Sequence, residues 1–178
     1  MDTIIILDFG SQYTQLIARK IRELNIYCEI HPYNKIPALT EEVKGVVFSG
    51  SPYSCNAADA PILDMAQIKG KLPLLAVCYG AQYLAKYGGG SVQQSATREY
   101  GRANLQYVDA ESPLMKGVPV GSQVWMSHGD TIERLPEGYH VICSTATVVS
   151  INDSGVHDWS QPQMSTTKLR SNVIPSTE

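Results

Sequence analysis

The sequence predicts an α/β fold with a doubly wound, mainly parallel sheet, flanking helices and short antiparallel strands in its second half. Three observations support this prediction. In the first half, β-branched apolar runs alternate with amphipathic stretches of helical period, as in parallel sheets. Several of those runs end in small residues, as buried strands do before a turn. In the second half, short apolar runs are separated by turn residues instead.

Four runs in the first half predict strands, namely TIIILDFG, YCEIHPY, KGVVFSGSP and LPLLAV. The segment SQYTQLIARKIREL predicts a helix with Ser11 as its N-cap. The apolar stripe of this helix consists of Leu16, Ile17, Ile21 and Leu24. A weaker helix is predicted over Ala57–Lys69, and GAQYLAKY predicts a third helix that three glycines terminate.

The second half predicts strands at GRANLQYV, SQVWMSHGD, YHVICSTA and TVVSI. From about Asn152 the hydrophobic period is lost, and Ser, Thr, Asn, Gln and Pro become frequent. We therefore expect one domain over residues 1–151, followed by a divergent and loosely ordered tail over 152–178.

The composition and charge of the chain argue against several classes of function. The net charge of −3 gives no basic footprint for nucleic acid. No run approaches the roughly 20 apolar residues of a membrane span, and an acid stands where a signal peptide carries positive charge. The four cysteines form no CxxC pair, which argues against a zinc site and predicts reduced thiols in the cytoplasm. We expect no metal site, and interpret His31 and His140 as structural.

Cys78 ends the strand LPLLAV and is followed directly by a helix. Ligands of open α/β sheets bind at the carboxyl ends of the strands. A nucleophile on a tight strand-to-helix turn lies beside a helix N-terminus, which favours the thiolate. The alternative is that Cys78 is a small buried hydrophobe, as we expect for the other three cysteines.

Two further stretches favour a catalytic interpretation. The turn after GVVF contains Gly50 and Ser51, and a backbone N–H there, together with that of Tyr79, would make a two-donor oxyanion hole. The stretch VWMSHGD places His128 and Asp130 at a predicted strand end. Taken alone, the first stretch is an ordinary turn, and the second is a turn that hydrogen-bonds its own backbone.

Taken together, ILDFGSQYTQLIARKIREL, GVVFSGSPYS, CYGAQ, TREYGRA and VWMSHGD resemble, in the same order, the glutamine amidotransferase domain of GMP synthetases. This is a class I, triad-type family with a flavodoxin-like fold. The resemblance covers roughly Thr3 to Ser150.

The resemblance implies that the thiolate of Cys78 attacks the side-chain amide of glutamine, forming a glutamyl thioester that water hydrolyses. It implies that backbone N–H groups of Ser51 and Tyr79 bind the oxyanion. It also implies glutamine contacts at Gly50, Gln82, Ser127, His128, Gly129 and Asp130. Ammonia would pass to a separate ATP-pyrophosphatase unit that aminates XMP to GMP. ATP and Mg²⁺ would belong to that unit, and this chain would need no cofactor.

The chain departs from the family in three places. Ala76 and Ser51 replace glycines, and Ser51 would cost about 1 kcal/mol if its turn requires a positive φ. The third departure is the absence of the family's QFHPE motif, which should fall near Thr166 to Lys168. His157 is the remaining candidate base, but adjacent Asp158 would point to the opposite face of a strand.

Three interpretations stay open. The chain is an amidotransferase-type protein whose C-terminal end has diverged, for example by a change of reading frame. Alternatively, it is an active glutaminase whose triad is completed by His157 or by a partner chain. Finally, it is a non-catalytic module that binds glutamine or regulates a synthetase. In the first case the lost general acid–base step would slow turnover by about 10²–10⁴-fold.

Overall fold

The computed structural model describes residues 1–146 and 149–153, with the backbone alone at 95–100, 127–128 and 149–153. The described residues form two compact units, Met1–Tyr87 and a second that begins at Gly88. Each unit is described by itself below.

The first unit is a four-stranded parallel sheet with the strand order β2-β1-β3-β4. Its strands are β1 (Thr3–Asp8), β2 (Tyr27–Pro32), β3 (Val43–Phe48) and β4 (Leu74–Ala76). The apolar residues of β1 are almost fully buried because this strand has a neighbour on each side. The parallel sheet predicted from the apolar runs is therefore confirmed.

Two helices flank the sheet, α1 (Thr14–Glu23) and α2 (Tyr79–Tyr87). Both lie where helices were predicted, but α1 begins later than expected. Its N-cap is Tyr13, and the Ser11 hydroxyl accepts the Tyr13 N–H at 3.1 Å in a turn that precedes the helix. Ser11 is therefore not the N-cap. Leu16 is 52% exposed, so the buried stripe is narrower than predicted.

The helix predicted over Ala57–Lys69 does not form. This segment is an irregular loop that ends in a short 3-10 helix, Met65–Gln67. The Asp64 carboxylate accepts the Ala66 N–H at 3.0 Å and caps that turn. Because Pro61 lacks an N–H and restricts the residue before it, a continuous helix through the segment is disfavoured.

The second unit contains antiparallel strands, as predicted. Strand β5 (Ser91–Asn104) pairs with β7 (Gln123–Arg134), and β8 (Tyr139–Ser144) pairs with β6 (Tyr107–Val108) and β9 (Val149–Asp153). Strands β5 and β7 are much longer than the short strands expected. The sequence pattern missed their length because both contain polar residues and register shifts.

The predicted tail begins at Asn152, and β9 continues to Asp153, opposite Tyr139. Residues 154–178, which include the candidate base His157, lie outside the described residues. Neither helix in the described part of the chain has the length and apolar composition that crossing a membrane requires.

Candidate active site

The centre of the site is the junction between β4 and α2. Cys78 occupies it with a φ of +52°, in the left-handed region that non-glycine residues rarely adopt. The Val77 N–H donates to the carbonyl of Phe48 at 3.0 Å and holds the junction against the end of β3. Cys78 is half-buried and immediately precedes the first turn of α2. This is the strand-to-helix geometry that the sequence predicted.

The tight packing of the junction depends on Gly80. A Cβ atom at this position would lie 2.7 Å from the Cβ of Phe48 and 3.1 Å from the carbonyl oxygen of Ser49. Both distances are below ordinary van der Waals contact, so only glycine lets the helix start so close to β3. The same close approach brings the start of α2 next to the turn that follows β3.

That turn lies beside Cys78. A Cβ atom built on Gly50 would be 3.5 Å from both the Cβ of Cys78 and the hydroxyl of Ser11. Gly50 is buried, whereas Ser51 is half-buried. Neither residue has a positive φ. The turn therefore does not require glycine at Ser51, and the strain that the sequence suggested there is not incurred.

A hydrogen-bond network beneath the turn ties the ends of β1 and β3 together. The Ser49 hydroxyl accepts the Phe9 N–H at 2.9 Å, and the side chain of Ser49 is fully buried. The Asp8 carboxylate accepts the Gly10 N–H at 2.9 Å and the Thr14 hydroxyl at 2.7 Å. The Ser49 hydroxyl also lies 3.4 Å from this carboxylate. Sequence reasoning missed this network, although an acid at the end of a buried strand signals one.

Tyr79 anchors the other side of the junction. Its ring is fully buried between the rings of Phe9 and Tyr83, with centroid separations of 5.5 and 6.3 Å. Its hydroxyl donates to the carbonyl of Pro61. Burial, more than the nearby Cys55 thiol, raises the pKa of Tyr79, so the hydroxyl keeps the proton it donates. The Tyr79 backbone N–H is in the first turn of α2, where no carbonyl of the helix can accept it.

The other cysteines are in a different environment. The four cysteines, all within the described residues, form no disulfide. Cys78 is partly exposed, whereas the other three are buried. Burial raises the pKa of Cys28, which disfavours its thiolate. A half-exposed thiol at a helix N-terminus, close to backbone N–H donors, has what nucleophilic attack on an amide requires.

The structure places the remaining predicted residues separately. Gln82 is buried in the first turn of α2, and its N–H donates to the carbonyl of Cys78 at 3.1 Å. Ser127, His128, Gly129 and Asp130 lie within β7, in the second unit. His128 and Asp130 therefore lie inside a strand, and the strand end or turn expected for them is not observed. The length of β7 explains the difference, since β5 pairs with residues on both sides of this stretch.

The two histidines interpreted as structural contact neighbouring acids. His31 is 2.9 Å from Glu29 on the same strand, and His140 is 4.0 Å from Asp109. Within the part of the chain that the structure describes, His, Cys, Asp and Glu form no group of three that could hold a metal ion.

Comparison with known proteins agrees with this geometry. Residues 5–155 match the model of the class-I glutamine amidotransferase family. The chain is 58% identical over 149 residues to the glutamine-hydrolysing GMP synthase of Christiangramia forsetii, and 57% identical over 147 residues to that of Cytophaga hutchinsonii. These matches cover 84% and 83% of this chain but only 29% of each relative. The chain thus spans less than a third of the length of these relatives.

Solved structures show the same fold. A Thermoplasma acidophilum protein, described as a putative component of GMP synthase, superposes with a TM-score of 0.72 at 25% identity, covering 88% of this chain and 80% of that one. A glutamine amidotransferase from Thermotoga maritima superposes with a TM-score of 0.66 at 18% identity, covering 86% and 72%. Because its identity is only 18%, the similarity to the Thermotoga maritima protein shows the fold alone.

Proposed function

Because the chain belongs to the class-I glutamine amidotransferase family, we propose that it is the glutamine-hydrolysing part of a GMP synthase. The observation that carries the proposal is the position of Cys78, at a positive φ between β4 and α2 and beside Gly50. The GMP synthase relatives, at 55–58% identity, support this branch of the family.

In the proposed reaction the thiolate of Cys78 attacks the side-chain amide carbon of glutamine. The backbone N–H groups of Ser51 and Tyr79 stabilise the oxyanion of the tetrahedral intermediate. Its collapse releases ammonia, once the nitrogen has gained a proton, and leaves a thioester between Cys78 and the glutamyl group. Water then hydrolyses the thioester to glutamate and restores the thiol. Gly50 and Gln82, with Ser127 to Asp130, are the proposed glutamine contacts.

Ammonia then passes to an ATP-pyrophosphatase unit separate from this chain, which aminates XMP to GMP. ATP and Mg²⁺ are proposed to bind that unit, and no cofactor is assigned to this chain. A cytoplasmic location is proposed because the four cysteines form no disulfide, which suits a reducing compartment.

We propose further that turnover is impaired. The 178 residues contain no His-Pro-Glu sequence, so the general base of the family is missing at its expected place. Loss of general acid–base catalysis costs about 10²–10⁴-fold. The alternative function, a non-catalytic glutamine-binding or regulatory module, is favoured by the same observation.

Two measurements on the full chain test these proposals. A chloroketone analogue of glutamine should alkylate Cys78 first, and glutamine should protect it; even labelling of all four cysteines would contradict the proposed active site. Ammonia release should be at least about a hundredfold slower than in a relative with a complete triad. His157→Ala should leave that slow rate unchanged. A fast wild type that His157→Ala inactivates would identify His157 as the base.

Glutamine binding to Cys78→Ala, measured by calorimetry, separates the two functions. Binding without any ammonia release by the wild type, even with a synthetase unit present, would favour the non-catalytic module. Slow, Cys78-dependent release would favour the impaired glutaminase.

A further inference from the structure

One face of α2 holds the long loop that follows the turn at Gly50 and Ser51. Tyr79, Tyr83 and Lys86 are spaced four and three residues apart, so they lie on the same side of the helix. Each of their polar groups contacts the loop between Cys55 and Leu63. This loop joins β3 to the short 3-10 helix and has no regular secondary structure of its own.

The side chains of α2 contact the loop at three points, mainly through backbone groups of the loop. The ammonium of Lys86 donates to the carbonyl of Cys55 at 2.8 Å and to the side-chain oxygen of Asn56 at 3.0 Å. The Tyr83 hydroxyl donates to the carbonyl of Leu63 at 2.9 Å and accepts the N–H of the same residue at 3.3 Å. The Tyr79 hydroxyl donates to the remaining contact point, the carbonyl of Pro61.

The Lys86 contact is the one nearest to the oxyanion turn along the chain. Between them the loop forms successive small turns. The Ser51 hydroxyl accepts the N–H of Tyr53 at 3.3 Å, and the Ser54 hydroxyl accepts the N–H of Asn56 at 3.1 Å. Two short turns, each closed by a serine hydroxyl, therefore separate Ser51 from the point that Lys86 holds.

The same helix begins at the nucleophile. Cys78 immediately precedes α2, so a rigid element that carries the thiol at its first turn also fixes the loop behind the oxyanion turn. A hydrogen bond from a charged donor is stronger than one from a neutral donor. Lys86 is itself exposed, so its contact with the loop can be removed by substitution without opening the core.

We propose that Tyr79, Tyr83 and Lys86 form a clamp that positions the oxyanion turn relative to Cys78, with Lys86 as a positioning residue for attack on glutamine. This inference rests on the proposed glutaminase chemistry. It assigns to the side chains of these three residues the role of setting the geometry of the groups that bind the substrate, and one of those groups is the backbone N–H of Tyr79.

The test compares two rates of Cys78 alkylation in the full chain. A chloroketone analogue of glutamine needs the substrate site and the oxyanion donors, whereas iodoacetamide needs only the thiolate. Lys86→Met should slow the analogue about tenfold, the effect of losing about 1.4 kcal/mol of interaction, and leave the iodoacetamide rate within about twofold. Tyr83→Phe should act in the same direction.

Matched controls come from the same unit. Lys69→Met removes an ammonium that lies 5.6 Å above the ring of Tyr87, away from the loop contacts, and should change neither rate. Tyr87→Phe removes a hydroxyl from the same helix and should also change neither. Lys86→Arg, which keeps a cation, should restore most of the analogue rate. If Lys86→Met does not fold, Lys86→Gln takes its place.

Each outcome is decisive. A selective loss of the analogue rate supports the clamp. Equal loss of both rates indicates a general structural role and overturns it, as does no change in either rate. If the wild type itself shows no preference for the analogue and no protection by glutamine, the proposed function fails, and the clamp fails with it.

Discussion

Substitutions at Cys78 measure the strain that the fold places on the proposed nucleophile. Cys78→Ala and Cys78→Gly both remove the thiol, so the difference between them isolates the effect of a Cβ atom at a φ of +52°. The left-handed conformation costs a residue with a Cβ roughly 1–2 kcal/mol. Glycine avoids that cost but loses about 0.4–1 kcal/mol more backbone entropy on folding.

The net expectation is that Cys78→Gly is more stable than Cys78→Ala by about 0.8 kcal/mol, the middle of the range of about 0–1.6 kcal/mol that these two contributions allow. For a chain of this length such a difference raises Tm by about 1–4 °C. Urea unfolding followed by circular dichroism measures the free energy difference directly.

Ala76→Gly is the matched control, because it makes the same change two residues earlier, at a position without a positive φ. It should destabilise the fold by about 0.5–1 kcal/mol, since glycine gains nothing there. If Cys78→Gly is less stable than Cys78→Ala by as much as Ala76→Gly is less stable than the wild type, the junction is not strained.

Three further changes have expected outcomes, each measured by urea unfolding. Gly80→Ala should destabilise the fold by about 1–3 kcal/mol through overpacking against the end of β3, whereas Gly129→Ala, with no atom within 4 Å of its new Cβ, should not; equal effects would refute the close approach. Asp8→Ala should cost about 0.5–1.5 kcal/mol, the net contribution of a typical hydrogen bond, because the Thr14 and Ser49 hydroxyls keep a second acceptor in the carbonyls of Ser11 and Gly50; a change within experimental error would mean that the network is dispensable. Burial raises the pKa of Cys28 and of Tyr83, so unfolding at high pH releases protons from these groups. Their contribution to the free energy of unfolding should be fully present below about pH 8.5 and should fall as the pH rises above that value. Tyr83→Phe should weaken that fall, and an unchanged profile would contradict it.

The sheet of the first unit was predictable because burial dominates its sequence. The isoleucines of β1 have no polar alternation, and only a strand with neighbours on both sides buries such a run. The helix expected over Ala57–Lys69 does not form for two reasons: Pro61 disfavours it locally, and tertiary contacts hold the segment in another conformation. Backbone carbonyls in and just before this segment, at Cys55, Pro61 and Leu63, are bound by side chains of α2, and a single sequence does not show which distant donors are available.

The position of Cys78 at a strand-to-helix junction was predictable, but the groups that hold this junction were not. Cys78 sits at a strand end beside small residues, a pattern visible in the sequence alone. The interactions of Asp8 with Ser49, and of Lys86 with Cys55, join residues 41 and 31 positions apart. Such long-range contacts leave no periodic signal. For Ser127 to Asp130, the turn residues of the stretch outweighed a strand whose length depends on pairing with β5.

The contacts described around Cys78 and Gly50 lie within Met1–Tyr87, the unit that contains both the proposed nucleophile and the proposed oxyanion turn. The two halves of the proposed reaction therefore depend on different parts of the chain. Attack needs a thiolate and backbone donors, which in the proposed mechanism come from the β4–α2 junction and from the turn after β3. Release of ammonia needs a proton, which a helix N-terminus cannot supply. A change confined to the end of the chain should therefore preserve selective alkylation of Cys78 while slowing turnover, and comparing these two rates distinguishes a lost base from a lost fold.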